Sequence, residues 1–459
     1  MRIKLDKPIS IKEIENVFGC NINATQSQAT HICTDSRLAE SGDLYFAIKG
    51  KRFDGNIFVK EALQKGCLCI ASDSPFAHIK VPDTTNALLS LAAYYKSRAI
   101  NLKSCIAVTG SVGKSSTKEF LKKIVSSKLT THASIGNYNN AIGLAHTILS
   151  MPYSTECLIC ELGMNHSGEI SKMSSCLKPD IGIITNIGTS HIGNLGSREA
   201  IAKAKSEITD GMQNGITLIP YDEPLLCGIK RSFKVGYNSK ASLSHFTLLS
   251  SSSLSCDYIY PDAIIKNLSI SLAEEHMLKN LSMAIAASLL SGLNDEEIHR
   301  GVASIGEDDL RQRFIKMTDY TIFDDSYNAS YESIAADLNY LCNHFPNDQV
   351  GVFIGDIAEL GEMSKTIHTS IGRLISQFNV RNLYLIGDYA KYIADGAIES
   401  GFDESHVFIN NDLTDHDLSI EHITKNHLSG EIILFKGSHS SKLYEIADTL
   451  SRTGRYEND

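Results

Sequence analysis

At 459 residues, 42% of them hydrophobic, the chain is too long for one ordinary domain and apolar enough for well-packed cores, so two to four domains are expected. A formal net charge of −10 with no long basic run excludes a nucleic-acid binder that works by charge, and no stretch approaches the roughly 18 apolar residues of a membrane span. The opening "MRIKLDKPIS" carries no apolar signal core, and the 11 cysteines are scattered and odd in number, which together point to a reduced, cytoplasmic setting.

In the first hundred residues, "GDLYFAIKG" reads as a strand-pair region and "NIFVKEALQKG" as a helix ending at Gly66. "CLCIASD" follows as a strand and "NALLSLAAYYKSRA" as a helix that leads to a boundary near residue 100. From there to about 310, the apolar runs "CIAVTG", "CLICELG", "IGIITNIG" and "ITLIP" alternate with helical stretches. That pattern predicts a mostly parallel sheet with its ligand site at the strand C-terminal ends. Between Lys234 and Leu272 the residues alternate as antiparallel strands do, and these are expected to extend that sheet. "HMLKNLSMAIAASLLSG" then reads as an apolar-faced helix closed by Gly292. Beyond about 313 the strands "YTIF", "VGVFIGD", "LYLIGD" and "IILFKGS" repeat the design. The fold class is therefore α/β in three domains: a small α/β unit (1–99), a central P-loop-type, mostly parallel sheet with added antiparallel strands (100–312), and a C-terminal Rossmann-like unit (313–459).

"IAVTGSVGKSSTKEF" carries the clearest chemistry: strand, glycine loop, helix. Gly110 and Gly113 let the backbone curl so that N–H groups point inward, and the helix start at Ser115 and Ser116 adds positive potential. Lys114 supplies a charge and a serine hydroxyl can hold magnesium, a set suited to a triphosphate. Only Ser111 and Val112 separate the glycines where the generic pattern has four residues, so a shorter variant is implied. Glu161 follows "CLIC", Asn186 and His191 lie in "NIGTSHIGN", and Lys203 and Lys205 stand on "AIAKAKSEI". All would gather at the ends of the same strands, as metal ligands and cationic partners or as solvated loop and helix positions. "SIGNYNNAIG", "DDSYNAS" and "GDIAELGE" bring further amides and carboxylates to strand ends, while Cys157 and Cys160 sit in an apolar run as core cysteines.

Taken in order, "TDSRLAESGDLYFAIKGKRFDG", "TGSVGKSS", "GNYNNAIG", "ELGMNHSGEI", "NIGTSHIGNLGSREAIAKAKSEI", "DDSYNAS", "GDIAELGE" and "KGSHSS" resemble the Mur ligase family. These are ATP-dependent amide-bond-forming enzymes of peptidoglycan assembly, and the resemblance runs over nearly the whole chain. It implies an ADP-forming ligase that joins D-alanyl-D-alanine to a UDP-N-acetylmuramoyl-tripeptide through an acyl phosphate. ATP would lie on Gly110, Ser111, Val112, Gly113, Lys114, Ser115 and Ser116, with Asn280 reading adenine and Arg313 and Asp325 as further contacts. Ser115 and Glu161 would hold a first magnesium, and His191 with a carbamylated Lys205 a second. Lys114, Lys205 and His191 would be catalytic. Ser36 and Arg37 would bind the uridine diphosphate in the first domain, Asn139, Asn140 and Asn328 would contact substrate, and the third domain would bring the amine and close on ATP. A monomer without nucleic-acid or membrane partners is implied.

Met277, Gln312, Ser330, Ala145 and His439 depart from the family's usual residues. The last replaces an arginine, and a neutral imidazole would weaken the grip on an anion or mark a different substrate. A Mur-like ligase for another acid and amine is thus one alternative. A nucleotide-dependent switch protein is another, since the phosphate loop alone would serve it.

Overall fold

The structure, a computed structural model, describes residues 1–23, 26–50, 53–236, 243–250, 253–260, 263–270, 275–306, 313–345 and 349–453. Its first sheet runs Arg2–Ser10, Gln28–Cys33, Leu44–Phe46, Leu68–Ala71, Ile79–Lys80, antiparallel in the first pair and parallel thereafter. "GDLYFAIKG" yields one short strand instead of a pair. Past Leu44–Phe46 there is only an isolated bridge between Lys49 and Asp54, because Asp54 turns the chain into the 3-10 segment Gly55–Phe58 by accepting from Asn56 N. The helix expected over "NIFVKEALQKG" consequently starts as that turn, becomes α-helical at Val59–Gln64, and stops where Gly66 takes φ +85°.

Asp83 caps the helix Thr84–Ser97 by accepting from Thr85 N and Asn86 N. Leu88, Leu91, Ala92 and Tyr95 on that helix enter one apolar core that takes Ile3, Ile32 and Phe46 from the first sheet and Ala107, Leu158 and Ile184 from the next. The first sheet and the second therefore share one core.

The central sheet is all parallel, in the order Ser232–Val235, Ile216–Pro220, Ile181–Ile184, Ser104–Thr109, Cys157–Glu161, Thr131–Ala133. Every residue of Ser104–Thr109 and Cys157–Glu161 is buried, as in a sheet covered on both faces. Burial pushes the Cys157 thiol up to about 12 and Cys160 well above its ordinary value, so both are inert core residues. The chain leaves Ser104–Thr109 toward one edge of the sheet and Cys157–Glu161 toward the other, which opens a crevice at their C-terminal ends.

The antiparallel strands do not extend this sheet. Leu243–Ser250, Ser253–Tyr260 and Ala263–Ile270 form a sheet of their own among the described residues. Successive antiparallel strands with short connections complete each other's ladders locally, and Ile265, Leu268 and Ile270 join the core around the helix Glu275–Leu290. That helix packs along Lys114–Val125, and Gly292 at φ +86° follows its end.

The last sheet runs Arg313–Lys316, Tyr320–Asp324, Glu431–Lys436, Val350–Gly355, Val380–Ile386, Val407–Asn410, antiparallel only at its first pair. Two separate apolar clusters cover its faces. Among the described residues no helix is long and apolar enough to cross a membrane.

Candidate active site

The strand Ser104–Thr109 delivers the loop 110–113 to the crevice, and the helix Lys114–Val125 begins directly after it. Gly113 has φ +80°, and a Cβ there would lie 2.5 Å from Asn280 Oδ1. At Gly110 a Cβ would fall 1.8 Å from Thr185 Oγ1. Both glycines are therefore demanded by close approach as well as by backbone conformation. Lys114 Nζ arches back over the loop to donate to Gly110 O at 2.9 Å and Ser111 O at 3.2 Å.

Glu161 ends the neighbouring strand and is only 2% exposed. Its Oε2 accepts from Ser115 Oγ at 2.8 Å and its Oε1 from Asn139 Nδ2 at 3.0 Å. A buried carboxylate fixed from both sides is thus aimed at the head of the loop. Lys203 and Lys205 share the helix Arg198–Ser206, but one is exposed and the other is 2% exposed. Burial, then repulsion from Lys114, drives the Lys205 amine well below its ordinary range. Among the described residues no carboxylate pairs with it.

The last sheet forms the opposite wall. Asp325 and Asn328 follow the strand Tyr320–Asp324, and Lys436 closes Glu431–Lys436. Lys436 is buried in ion pairs with Asp325 and, at 2.7 Å, with Asp337. Burial lowers the Lys436 pKa, yet the two aspartates outweigh it and hold the group up at about 12; burial in turn raises Asp325 against the pull of Lys436. The cleft between the walls, with a cavity volume of about 210 Å³, is lined from Ser111–Ser116, Asn139, Glu161 and Asn186 across to Asn280, Asp325, Asn328 and Lys436.

Where the two walls meet, His191 Nδ1 closes on the Glu359 carboxylate, and both residues adopt φ +65°, uncommon for residues with a Cβ. The imidazole draws Glu359 below its ordinary range, against the effect of burial. Nearby, Thr189 N donates to Glu332 Oε1 at 2.9 Å and Thr189 Oγ1 to Glu332 Oε2 at 3.1 Å.

A curated relative from Bacillus subtilis (strain 168), named UDP-N-acetylmuramoyl-tripeptide--D-alanyl-D-alanine ligase, is 33% identical over 443 residues, spanning 91% of this chain and 92% of its own length. The chain belongs to the Mur ligase family. The family's patterns agree: its catalytic domain matches residues 28–103, its middle domain 108–288 and its glutamate ligase domain 311–439. A relative of the same name from Rickettsia prowazekii (strain Madrid E) is 32% identical, over 95% of this chain and 96% of its own. A crystal structure of MurF from Acinetobacter baumannii superposes with a TM-score of 0.86 at 29% identity, covering 98% of this chain and 100% of that one. The resemblance read from the sequence and the three-part α/β architecture are both borne out.

In this Mur ligase, Ser111, Val112, Gly113, Lys114, Ser115, Ser116, Asn139, Glu161, Asn280, Asp325 and Asn328 line one cleft. Gly110 lies beneath it as the turn, and Lys205 is buried close to Lys114. His191 stands at the seam between the walls. Arg313 does not reach the cleft: it is 55% exposed and binds Asp324 at 2.6 Å and Asp448 at 3.6 Å. Asn140 caps the helix Ala141–Leu149 by accepting from Gly143 N. Ser36 and Arg37 are remote, in the first sheet's region, where Arg37 forks onto Asp35 at 2.9 and 2.7 Å. Gln312 lies outside the described residues. Lys436, Asp337, Glu332 and Glu359 were not singled out from the sequence. A charge closing the apolar run "IILFK" was a usable signal for Lys436, whereas Asp337 in "IAADLNY" reads as an ordinary helix face.

Proposed function

We propose that this Mur ligase joins D-alanyl-D-alanine to a UDP-N-acetylmuramoyl-tripeptide at the expense of ATP, working as a monomer in the cytoplasm. In this reading residues 1–99 bind the UDP-sugar, 100–312 the ATP, and 313–459 the incoming amine. The observation that carries it is the meeting of Ser115, Glu161 and Lys114 at the head of the phosphate loop, with the buried Lys205 behind.

The residues suit magnesium. Ser115 Oγ, half-buried, and the buried Glu161 form an all-oxygen pair, and among the described residues no cluster of three His, Cys, Asp or Glu side chains competes with it. One carboxylate, one hydroxyl and substrate phosphates are the set that Mg²⁺ takes. When bound, the ion would screen the phosphate charges against the approaching carboxylate. Ser115 and Glu161 would hold one ion, His191 and Lys205 a second.

For Lys205 the supporting argument is chemical. Burial and a neighbouring cation drive an amine toward its neutral form, and a neutral amine adds to CO₂: the nitrogen lone pair forms the N–C bond, a C=O electron pair moves to oxygen, and the nitrogen proton leaves to water. The carbamate carries a negative charge that attracts Lys114, where an ammonium at the same place would repel it.

The amides at the helix start, Gly113–Ser116, and Lys114 bind the triphosphate. The tripeptide carboxylate attacks the γ-phosphorus and ADP departs. The dipeptide's amine then attacks the acyl carbon, expelling phosphate and losing its proton. Asn280, Asp325 and Asn328 orient the nucleotide and peptide, and the wall from the last sheet keeps water out.

Phosphate release from ATP should require both the UDP-muramoyl-tripeptide and D-alanyl-D-alanine. Release that ignores the dipeptide would overturn the reading. A second reading, a Mur-like ligase for a different amine, draws on His439, whose ring stacks on Tyr444 at 5.1 Å and lies 5.5 Å from Tyr327. An amine panel distinguishes it. A nucleotide switch would leave the buried Lys205 without a role.

A further inference from the structure

The short phosphate loop is not held by Lys114 alone. With only Ser111 and Val112 between the glycines, it lacks the extra residues that let a longer loop close around phosphate with its own backbone. The strand end 185–188, after Ile181–Ile184, supplies the bracing. Ser111 N donates to Asn186 Oδ1 at 3.0 Å and Val112 N to the same atom at 2.9 Å. Ser111 N also reaches Asn186 O at 3.2 Å, and Gly188 N donates to Ser111 Oγ at 2.9 Å. Thr185 Oγ1 donates to Val112 O. Two donors converging on one atom fix the carboxamide with its oxygen toward the loop.

We propose that Asn186 is a positioning residue for nucleotide phosphate. Its carboxamide oxygen takes up the Ser111 and Val112 amides, so that the loop is pinned open and phosphate falls to the helix start at Gly113–Ser116 and to Lys114. The inference rests on the loop being the triphosphate site. A neutral acceptor is required at this place: a carboxylate would satisfy the same two N–H groups but set a negative charge against the phosphates. Because the Asn186 oxygen is engaged by the loop amides, its effect grows with the number of phosphates and leaves the adenosine end alone.

The test is a titration of the wild-type protein, Asn186→Ala and Asn186→Asp with adenosine and with Mg-ADP by calorimetry, alongside thermal unfolding. Asn186→Asp retains both acceptor bonds, so it should unfold near the wild-type temperature yet bind ADP at least tenfold more weakly. Asn186→Ala should also lose at least tenfold for ADP. Adenosine should bind all three alike, which certifies that each variant is folded. ADP affinity within twofold of wild type in both variants would overturn the proposal, as would parallel losses for adenosine and ADP. Should the wild-type protein hold ADP no more tightly than adenosine, the triphosphate reading of the loop falls, and the proposal with it.

Discussion

A lysine amine enclosed by protein beside a second lysine is pushed from its charged form by burial and by repulsion together, and Lys205 is in that position. If the group is converted to a carbamate that supports catalysis, Lys205→Ala should lower kcat by roughly 10²-fold or more, the scale of losing one electrostatic contributor at a reacting centre. Labelled bicarbonate should give a carbamate carbon signal in the wild-type protein that the variant lacks. A second residue-scale prediction concerns the first domain. The Arg37 side chain, then its amide, holds the Asp35 carboxyl down at about 2, against 3.8 ordinarily. A depressed carboxyl pKa adds stability that is present above 3.8 and disappears as pH falls through about 2. Because Arg37 is 84% exposed, the contribution is about 1 kcal/mol or less. Asp35→Asn should therefore lower the urea midpoint at pH 7, and the difference should vanish near pH 2.

Among elements, the helix Lys114–Val125 links packing to the site, since its first residue is the phosphate-loop lysine. The helix Asp295–Ala303 presses on it through Gly301, where a Cβ would sit 2.5 Å from Ile124 Cα. Gly301→Ala must separate the helices, at about 1–3 kcal/mol, and should also weaken nucleotide binding. Gly372→Ala, at the crossing of Ser364–Ile375 with Ala390–Glu399, meets Ile393 O at 1.9 Å and should lower thermal stability without touching nucleotide affinity. The contrast checks that the first effect travels along the helix. At this scale the sequence was most informative. Strand, loop and helix around Gly110 and Gly113 follow from apolar periodicity and turn chemistry, which are local. The separate antiparallel sheet was not legible, because alternation reveals that a strand exists and not which neighbour it pairs with.

The whole molecule adds what no local pattern carries: contacts between residues far apart in the chain. Glu161 could be suspected from its strand end, but that Thr189 would meet Glu332, or His191 meet Glu359, depends on how the last sheet docks. The tightest point of that docking is Gly193. A Cβ there would lie 2.4 Å from Gly361 N and 2.4 Å from Leu360 C, backbone atoms that no rotamer change can move. Gly193→Ala should thus keep the third domain from seating, while the phosphate loop, Glu161 and Lys205 stay in the central domain untouched. If seating completes the site, the variant should still bind ADP through the glycine loop, more weakly for want of Asp325 and Asn328, show a larger radius of gyration by small-angle scattering with nucleotide and substrate bound, and lose most of its kcat. An unchanged radius together with full turnover would mean that this contact is incidental, and that the two walls close through the Glu332 and Glu359 carboxylates alone.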